Sequence, residues 1–143
     1  MPPIKNHKPN VLLVEDNAAD INLVEEALEE AQLDCCLHIL RDGVQALAFL
    51  EQLDAEPERS APQVVLLDLN LPKVGGEEVL KRVRMSPRCR DAKVLIISSS
   101  DAPSDRDRAM KLGATDYFRK PSSLQQFMLL GTKVRAMLEE AAG

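Results

Sequence analysis

The chain has 143 residues, of which 45% are hydrophobic and 29% are charged, and this composition fits one globular domain rather than a disordered chain. A net charge of −5 and an aromatic content of 3% argue against a nucleic-acid interface, which needs a basic patch and stacking platforms. The three cysteines match neither a disulfide framework nor a zinc motif, so free thiols in the reducing cytoplasm are expected. No apolar run approaches the roughly 20 residues of a membrane helix.

Residues 1–9 are polar and predict a flexible tail, so the folded domain is expected to span residues 10–143. Short apolar runs and segments of helical periodicity then alternate along the chain. Strands are predicted at residues 11–14, 35–40, 64–67, 94–97 and 115–119. Helices are predicted at residues 18–32, 44–53, 77–86, 103–112 and 122–140.

The ends of several elements carry recognisable signals. Asn17 is placed to cap the first helix, Pro87 should stop the third, and Gly113 should terminate the fourth. The polar, proline-containing stretch at residues 54–62 predicts a surface loop. Five strands alternating with five helices predict an α/β fold, a doubly wound five-stranded parallel sheet with helices on both faces.

In open parallel sheets the functional site lies beyond the carboxyl ends of the strands, so the residues there are the candidates. Three carboxylates, an amide, a hydroxyl and one amine are expected to meet at this edge of the sheet. They belong to Glu15, Asp16, Asp68, Asn70, Ser98 and Lys120.

Clustered carboxylates need a counter-charge, because two unit charges about 5 Å apart repel by roughly 3 kcal/mol at an effective dielectric of 20. A hard divalent cation with oxygen ligands, Mg²⁺ or Mn²⁺, supplies it. Asp16 and Asp68 are the expected direct ligands, Glu15 would act through water, and Asn70 would offer its backbone carbonyl. The alternative is that these acids are only strand-end and helix-cap residues.

Four segments carry a resemblance to the response-regulator receiver family, and they occur in the family's order. They are residues 11–16 (VLLVED), 64–72 (VVLLDLNLP), 94–98 (VLIIS) and 113–121 (GATDYFRKP). The resemblance extends from Val11 to the final helix. It implies the strand order 2-1-3-4-5 of a flavodoxin-like receiver.

The resemblance also implies a chemistry. Asp68 would accept a phosphoryl group from a sensor histidine kinase, and Lys120 and Ser98 would contact the phosphoryl oxygens. The Lys120–Pro121 bond is expected to be cis. Ser98 would then move towards the phosphoryl group and Tyr117 would turn inward, which makes the protein a signalling domain rather than an enzyme.

No output domain is expected after the last helix, so a protein contact or a further phosphotransfer protein is the expected output. Residues 68–73 and the loop at residues 54–62 resemble the single-domain regulators that partner bacterial phytochromes, which implies a light-signalling pathway and a homodimer. The last helix presents a broad apolar face, which fits either a dimer or a wide buried stripe. That face comprises Leu124, Phe127, Met128, Leu129, Leu130, Val134, Met137 and Leu138.

Three other functions compete with this interpretation. An aspartyl-intermediate phosphatase would need a second Asp where Asn70 stands. A flavin- or nucleotide-binding domain would need a glycine- or hydroxyl-rich loop after the first strand, where residues 15–18 read Glu-Asp-Asn-Ala. An interaction module that no longer accepts phosphate would not need the full set of site residues.

Overall fold

The computed structural model describes residues 8–142 and confirms a parallel sheet enclosed by helices. Its strands are β1 (Asn10–Val14), β2 (Cys36–Leu40), β3 (Val64–Asp68), β4 (Lys93–Ser98) and β5 (Asp116–Arg119). Its helices are α1 (Ala18–Glu30), α2 (Gly43–Ala55), α3 (Gly76–Met85), α4 (Pro103–Lys111), α5 (Leu124–Phe127) and α6 (Leu129–Ala142).

The sheet has the order β2-β1-β3-β4-β5, and each neighbouring pair is parallel. Val14 lies opposite both Leu40 and Leu67, so β1 ends level with its two neighbours. This register brings the carboxyl ends of the central strands to one edge, as the sequence predicted.

Side chains of β1 alternate between two apolar cores. Leu12 and Val14 pack with residues of α2, α3 and α4, whereas Val11 and Leu13 pack with residues of α1, α5 and α6. The apolar residues of β1, β3 and β4 are therefore buried on both faces, which explains their continuous apolar runs. These rigid central strands position the residues that follow them.

Part of the predicted tail is described, and it contacts the sheet. The carbonyl of Pro9 accepts a hydrogen bond from the Cys36 N–H (2.8 Å), and Lys8 forms an ion pair with Asp34 (3.2 Å). The remainder of the predicted tail, residues 1–7, lies outside the described residues. No helix in residues 8–142 is long and apolar enough to cross a membrane.

The prediction of one continuous last helix is wrong, because a turn at Met128 separates α5 from α6. The Gly131 N–H donates to the Met128 carbonyl only three residues back (3.1 Å), which is a tighter turn than an α-helix makes. Leu124 lies outside the core at 56% exposure, whereas Phe127 and Leu130 are buried. Leu124 was thus wrongly assigned to the core stripe.

Candidate functional site

Two acidic residues follow the end of β1, and they differ in burial. The Glu15 N–H donates to the Leu40 carbonyl (3.0 Å), so the backbone stays extended for one residue beyond the strand. Successive side chains of extended backbone alternate in direction. Glu15 is consequently buried at 1% exposure, whereas Asp16 is exposed at the rim.

Asp68 is the last residue of β3 and lies at the mouth of the site, 5% exposed. Its Oδ1 accepts a hydrogen bond from the Asn70 N–H (3.0 Å), which fixes the carboxylate against the following loop. Helix α3 begins directly above it. A Cβ at Gly76 would lie 2.4 Å from the Asp68 carbonyl oxygen, so only glycine permits this approach.

The three carboxylates predicted from the sequence converge. One oxygen from each of Glu15, Asp16 and Asp68 lies within 4.8 Å of the other two. At this separation ionised carboxylates repel one another appreciably, even with partial solvent screening. The cluster therefore needs a cation or a proton to be stable.

Lys120 supplies one positive charge inside this cluster. Its Nζ donates to Asp20 Oδ2 (2.8 Å) and Glu15 Oε1 (2.9 Å), and more loosely to Asp68 Oδ2 (3.4 Å). The Lys120 side chain is only 13% exposed, so these interactions are partly shielded from water. One lysine against four nearby carboxylates leaves the site negative.

Asp20 was not among the site residues predicted from the sequence. Asn17 caps α1 by accepting a hydrogen bond from the Asp20 N–H (3.0 Å), which places Asp20 in the first helical turn. Side chains in a first turn point back towards the start of their helix, and here that start follows the end of β1. The spacing from the cap was the available signal.

The environment shifts two pKa values in this cluster. Burial, reinforced by Asp68, raises the pKa of Glu15 from 4.5 to about 7, although the Lys120 ammonium opposes the shift. Burial alone would lower the pKa of Lys120, but hydrogen bonds to Asp20 and Glu15 and the charge of Asp68 outweigh it. The pKa of Lys120 therefore lies above its ordinary value, and the side chain stays charged.

Ser98 is the last residue of β4, next to β3 in the sheet, and Tyr117 is the second residue of β5. The buried Ser98 hydroxyl accepts a hydrogen bond from the Ser100 N–H (3.1 Å). Tyr117 is 7% exposed and donates its phenolic hydrogen to the Ser100 carbonyl (3.0 Å). Tyr117 is thus already buried. The predicted inward turn of Tyr117 would therefore have to start from another conformation, or these hydrogen bonds would have to be replaced by others.

One expectation about Lys120 is wrong. The structure has no cis peptide bond in its described residues, so Lys120 and Pro121 are joined in trans. The Lys120 N–H donates to the Ser98 carbonyl (2.7 Å), which ties the backbone to the end of β4. This hydrogen bond and the three acceptors of the ammonium direct the side chain into the site without a cis bond.

The donor set suits a hard divalent cation. Glu15, Asp16 and Asp68 offer carboxylate oxygens and no sulfur or imidazole, which favours Mg²⁺ or Mn²⁺ over zinc. Asp16 is exposed, so a cation there could also keep water ligands. The residues therefore fit such an ion.

Comparison with known proteins identifies the family. The model of the response regulator receiver domain matches residues 11–130. The chain belongs to this receiver family. Among curated relatives, response regulator Rcp1 of Synechocystis sp. is 38% identical over 115 residues, which cover 80% of this chain and 78% of Rcp1.

Solved receiver structures superpose on this receiver domain. The Mn²⁺-bound form of Rcp1 gives a TM-score of 0.78 at 34% identity, covering 90% of this chain and 92% of Rcp1. The phosphorylated cyanobacterial phytochrome response regulator RcpA gives 0.79 at 34% identity, covering 90% and 91%. The bacteriophytochrome response regulator RtBRR gives 0.74 at 38% identity, covering 92% and 78%. These likenesses confirm the predicted fold and family.

Proposed function

We propose that this receiver domain accepts a phosphoryl group on Asp68 from a sensor histidine kinase, with Mg²⁺ or Mn²⁺ at the acidic cluster. The observation that carries the proposal is the position of Asp68. Its carboxylate is 6% exposed, lies within 4.8 Å of the Glu15 and Asp16 carboxylates and faces the Lys120 ammonium. A nucleophile and the charges that phosphoryl transfer requires are thus present together.

The proposed reaction is a transfer between a histidine of the kinase and Asp68. A bond forms between a carboxylate oxygen of Asp68 and phosphorus as the phosphorus–nitrogen bond breaks, and the imidazole leaves with its electron pair. Lys120 would stabilise one phosphoryl oxygen by charge, and Ser98 would donate its hydroxyl hydrogen to another. Asp16 and Asp68 would bind the cation directly, Glu15 through water and Asn70 through its carbonyl.

A bound divalent cation would contribute neutralisation of the phosphoryl charge. The buried Glu15 contributes in another way, because it orients Lys120 and its second oxygen accepts the Asn17 N–H (3.1 Å). Structures of relatives support a divalent cation and phosphorylation here, since a Mn²⁺-bound Rcp1 and a phosphorylated RcpA are known.

Intact-mass measurement tests the proposal. Incubation with acetyl phosphate and Mg²⁺ should add one phosphoryl group to the wild-type chain, and chelation with EDTA should prevent the gain. Asp68→Asn should gain nothing, because an amide is not a nucleophile of this kind. A gain of the same size in Asp68→Asn would contradict the assignment.

The phosphatase alternative predicts a different result. Such an enzyme needs a general acid near Asp68, and Asn70 has no titratable side chain. Release of phosphate from p-nitrophenyl phosphate at a rate above that of Asp68→Asn would favour the phosphatase. We expect no such release of phosphate, and only self-phosphorylation and self-dephosphorylation of the chain.

The relatives suggest a partner. RcpA and RtBRR are named as phytochrome response regulators, so we propose a bacteriophytochrome as the kinase and a phosphotransfer protein as a downstream target. Phosphotransfer from a histidine kinase and the free thiols of Cys35, Cys36 and Cys89 support a cytoplasmic location. A homodimer is proposed from the exposed Leu124 and Leu129.

A further inference from the structure

We propose that Asp20 is a positioning residue that holds the Lys120 ammonium so that its remaining hydrogen points at Asp68; the inference rests on the proposed phosphorylation of Asp68. Asp20 accepts the shortest of the hydrogen bonds that the Lys120 ammonium makes, at 2.8 Å. Asp20 belongs neither to the family's motif residues nor to the site residues predicted from the sequence.

The hydrogen count of the ammonium is the first step. A lysine ammonium has three hydrogens to donate and no acceptor. Glu15 takes one at 2.9 Å and Asp20 takes another at 2.8 Å, which leaves one for Asp68 at 3.4 Å. The two short contacts therefore determine where the third hydrogen points.

The position of Asp20 makes it a stable anchor. It lies in the first turn of α1, where a negative charge is favoured by the helix dipole, and its backbone N–H is held by the Asn17 cap. Its side chain is 24% exposed, compared with 1% for Glu15, so water can replace it if it is removed. Asp20 is thus held on a fixed helix and restrains the flexible four-carbon side chain of Lys120.

The loose contact to Asp68 has a consequence for phosphorylation. Once Asp68 carries a phosphoryl group, a phosphoryl oxygen can take the third hydrogen, and the short contacts to Glu15 and Asp20 need not break. Without Asp20, one ammonium hydrogen would turn to water and the direction of the ammonium would be less restricted. A misplaced charge stabilises a transition state poorly, so the rate of transfer should fall.

The test compares substitutions at Asp20 in the full chain, with acetyl phosphate as donor and the maximal rate of Asp68 phosphorylation as the readout. Asp20→Ala should lower this rate about tenfold. Asp20→Asn should lower it less, because its amide oxygen still accepts a hydrogen bond, and Asp20→Glu should restore most of it by keeping the charge. Glu25→Gln, which removes an exposed charge from the same helix, is the matched control and should leave the rate unchanged.

Two further readouts separate positioning from folding or metal binding. The thermal midpoint and the Mg²⁺ concentration for half-maximal rate should change little in Asp20→Asn, while its maximal rate falls. Maximal rates in Asp20→Ala and Asp20→Asn equal to wild type, or an Asp20→Glu as slow as Asp20→Ala, would overturn the inference and leave Asp68 as the acceptor. Absence of any phosphorylation in the wild-type chain would instead overturn the proposed function, and this inference with it.

Discussion

Glu15 shows how burial and charge oppose each other at a single residue of the site. Its carboxyl is almost inaccessible to water, and one oxygen accepts a hydrogen bond from Lys120. Burial and the neighbouring Asp68 nevertheless dominate and raise its pKa to about 7. Near neutral pH the Glu15 carboxyl of the cation-free protein can therefore carry a proton. A bound cation would instead need this carboxyl to be ionised.

This shift predicts a pH-dependent affinity for the cation. Below about pH 7 a proton on Glu15 competes with Mg²⁺, so the affinity should rise as pH increases from about 6 to about 8. Titration calorimetry in the absence of donor measures it. Glu15→Gln, which cannot titrate, should bind more weakly and with a flatter pH profile. An equally steep profile in Glu15→Gln would assign the proton to another group.

The raised pKa of Glu15 affects the stability of the fold in the opposite direction, since this stability should fall as pH rises. A carboxyl whose pKa is raised in the folded state stabilises that state when protonated, so its contribution is present below the ordinary pKa of 4.5. The contribution is lost as pH rises through about 7. Added Mg²⁺ should therefore stabilise the fold most above neutral pH, where it replaces the missing proton.

The site residues at strand ends were predictable, whereas the spacing of Asp20 from the Asn17 cap placed it in a first helical turn without showing that it meets Lys120. Glu15, Asp16 and Asp68 follow continuous apolar runs, so their common edge could be deduced from the parallel sheet. Asp20 required the orientation of α1 relative to Lys120, which depends on packing between elements that are 100 residues apart. The trans bond at Lys120 could not be read from the sequence either, since X–Pro bonds adopt both isomers.

At the scale of elements, a chain of hydrogen bonds connects the site to β5 through the loop before α4. Ser98 accepts from the Ser100 N–H, the Ser100 carbonyl accepts from Tyr117, and the Ser100 hydroxyl donates to Asp105 on α4 (2.5 Å). Arg106 of α4 also lies over the Tyr117 ring, 5.8 Å from its centre. A Ser98 hydroxyl that turned to a phosphoryl group would release the Ser100 N–H and disturb this chain.

We therefore expect Ser98→Ala to separate phosphorylation from the structural response. Hydrogen exchange in the wild-type chain should change on phosphorylation over residues 99–119, and in Ser98→Ala that difference should fall by more than half, although Asp68 is still modified. The exposed neighbour Ser99 provides the control, since Ser99→Ala should keep the full difference. A full response in phosphorylated Ser98→Ala would show that coupling takes another route.

The last helix shows that the apolar periodicity of one element was insufficient to predict which of its residues are buried. Its apolar residues cover a broad face, and periodicity alone assigns Leu124 and Phe127 to the same stripe. In the structure Leu124 is exposed and Phe127 is buried, and a Cβ at Gly131 would lie 2.3 Å from the Ala27 carbonyl oxygen of α1. The approach of α6 to α1 therefore depends on a tertiary contact, which helix propensities cannot predict.

At the scale of the whole molecule, the alternation of strands and helices predicted the architecture, because parallel strands with right-handed crossovers permit few arrangements. The exact strand order came from the resemblance to receivers, and it is confirmed. The edge strands β2 and β5 are less buried than the central strands, and their beginnings were predicted one residue too early, at Cys35 and Thr115. Local signals at sheet edges are weak because burial there is partial.

The apolar side chains left on the surface predict self-association. Leu124 and Leu129 are 56% and 60% exposed near the junction of α5 and α6. Sedimentation should detect a dimer of the wild-type chain with the phosphoryl mimic beryllofluoride, and Leu129→Ser should weaken it about tenfold. Met85→Ser, at a 77% exposed site on α3, should not. A monomer with and without the mimic at high concentration would remove the dimer proposal.

The most direct measurement of the central claim is chemical mapping of the phosphorylated residue. Borohydride reduces an aspartyl phosphate to homoserine and releases phosphate, and peptide sequencing by mass spectrometry then locates the homoserine. The account predicts homoserine at position 68 only, and only after incubation with donor and Mg²⁺. Reduction at Asp16 or Asp20 instead, or an unchanged Asp68 in a chain that has gained a phosphoryl group, would contradict it.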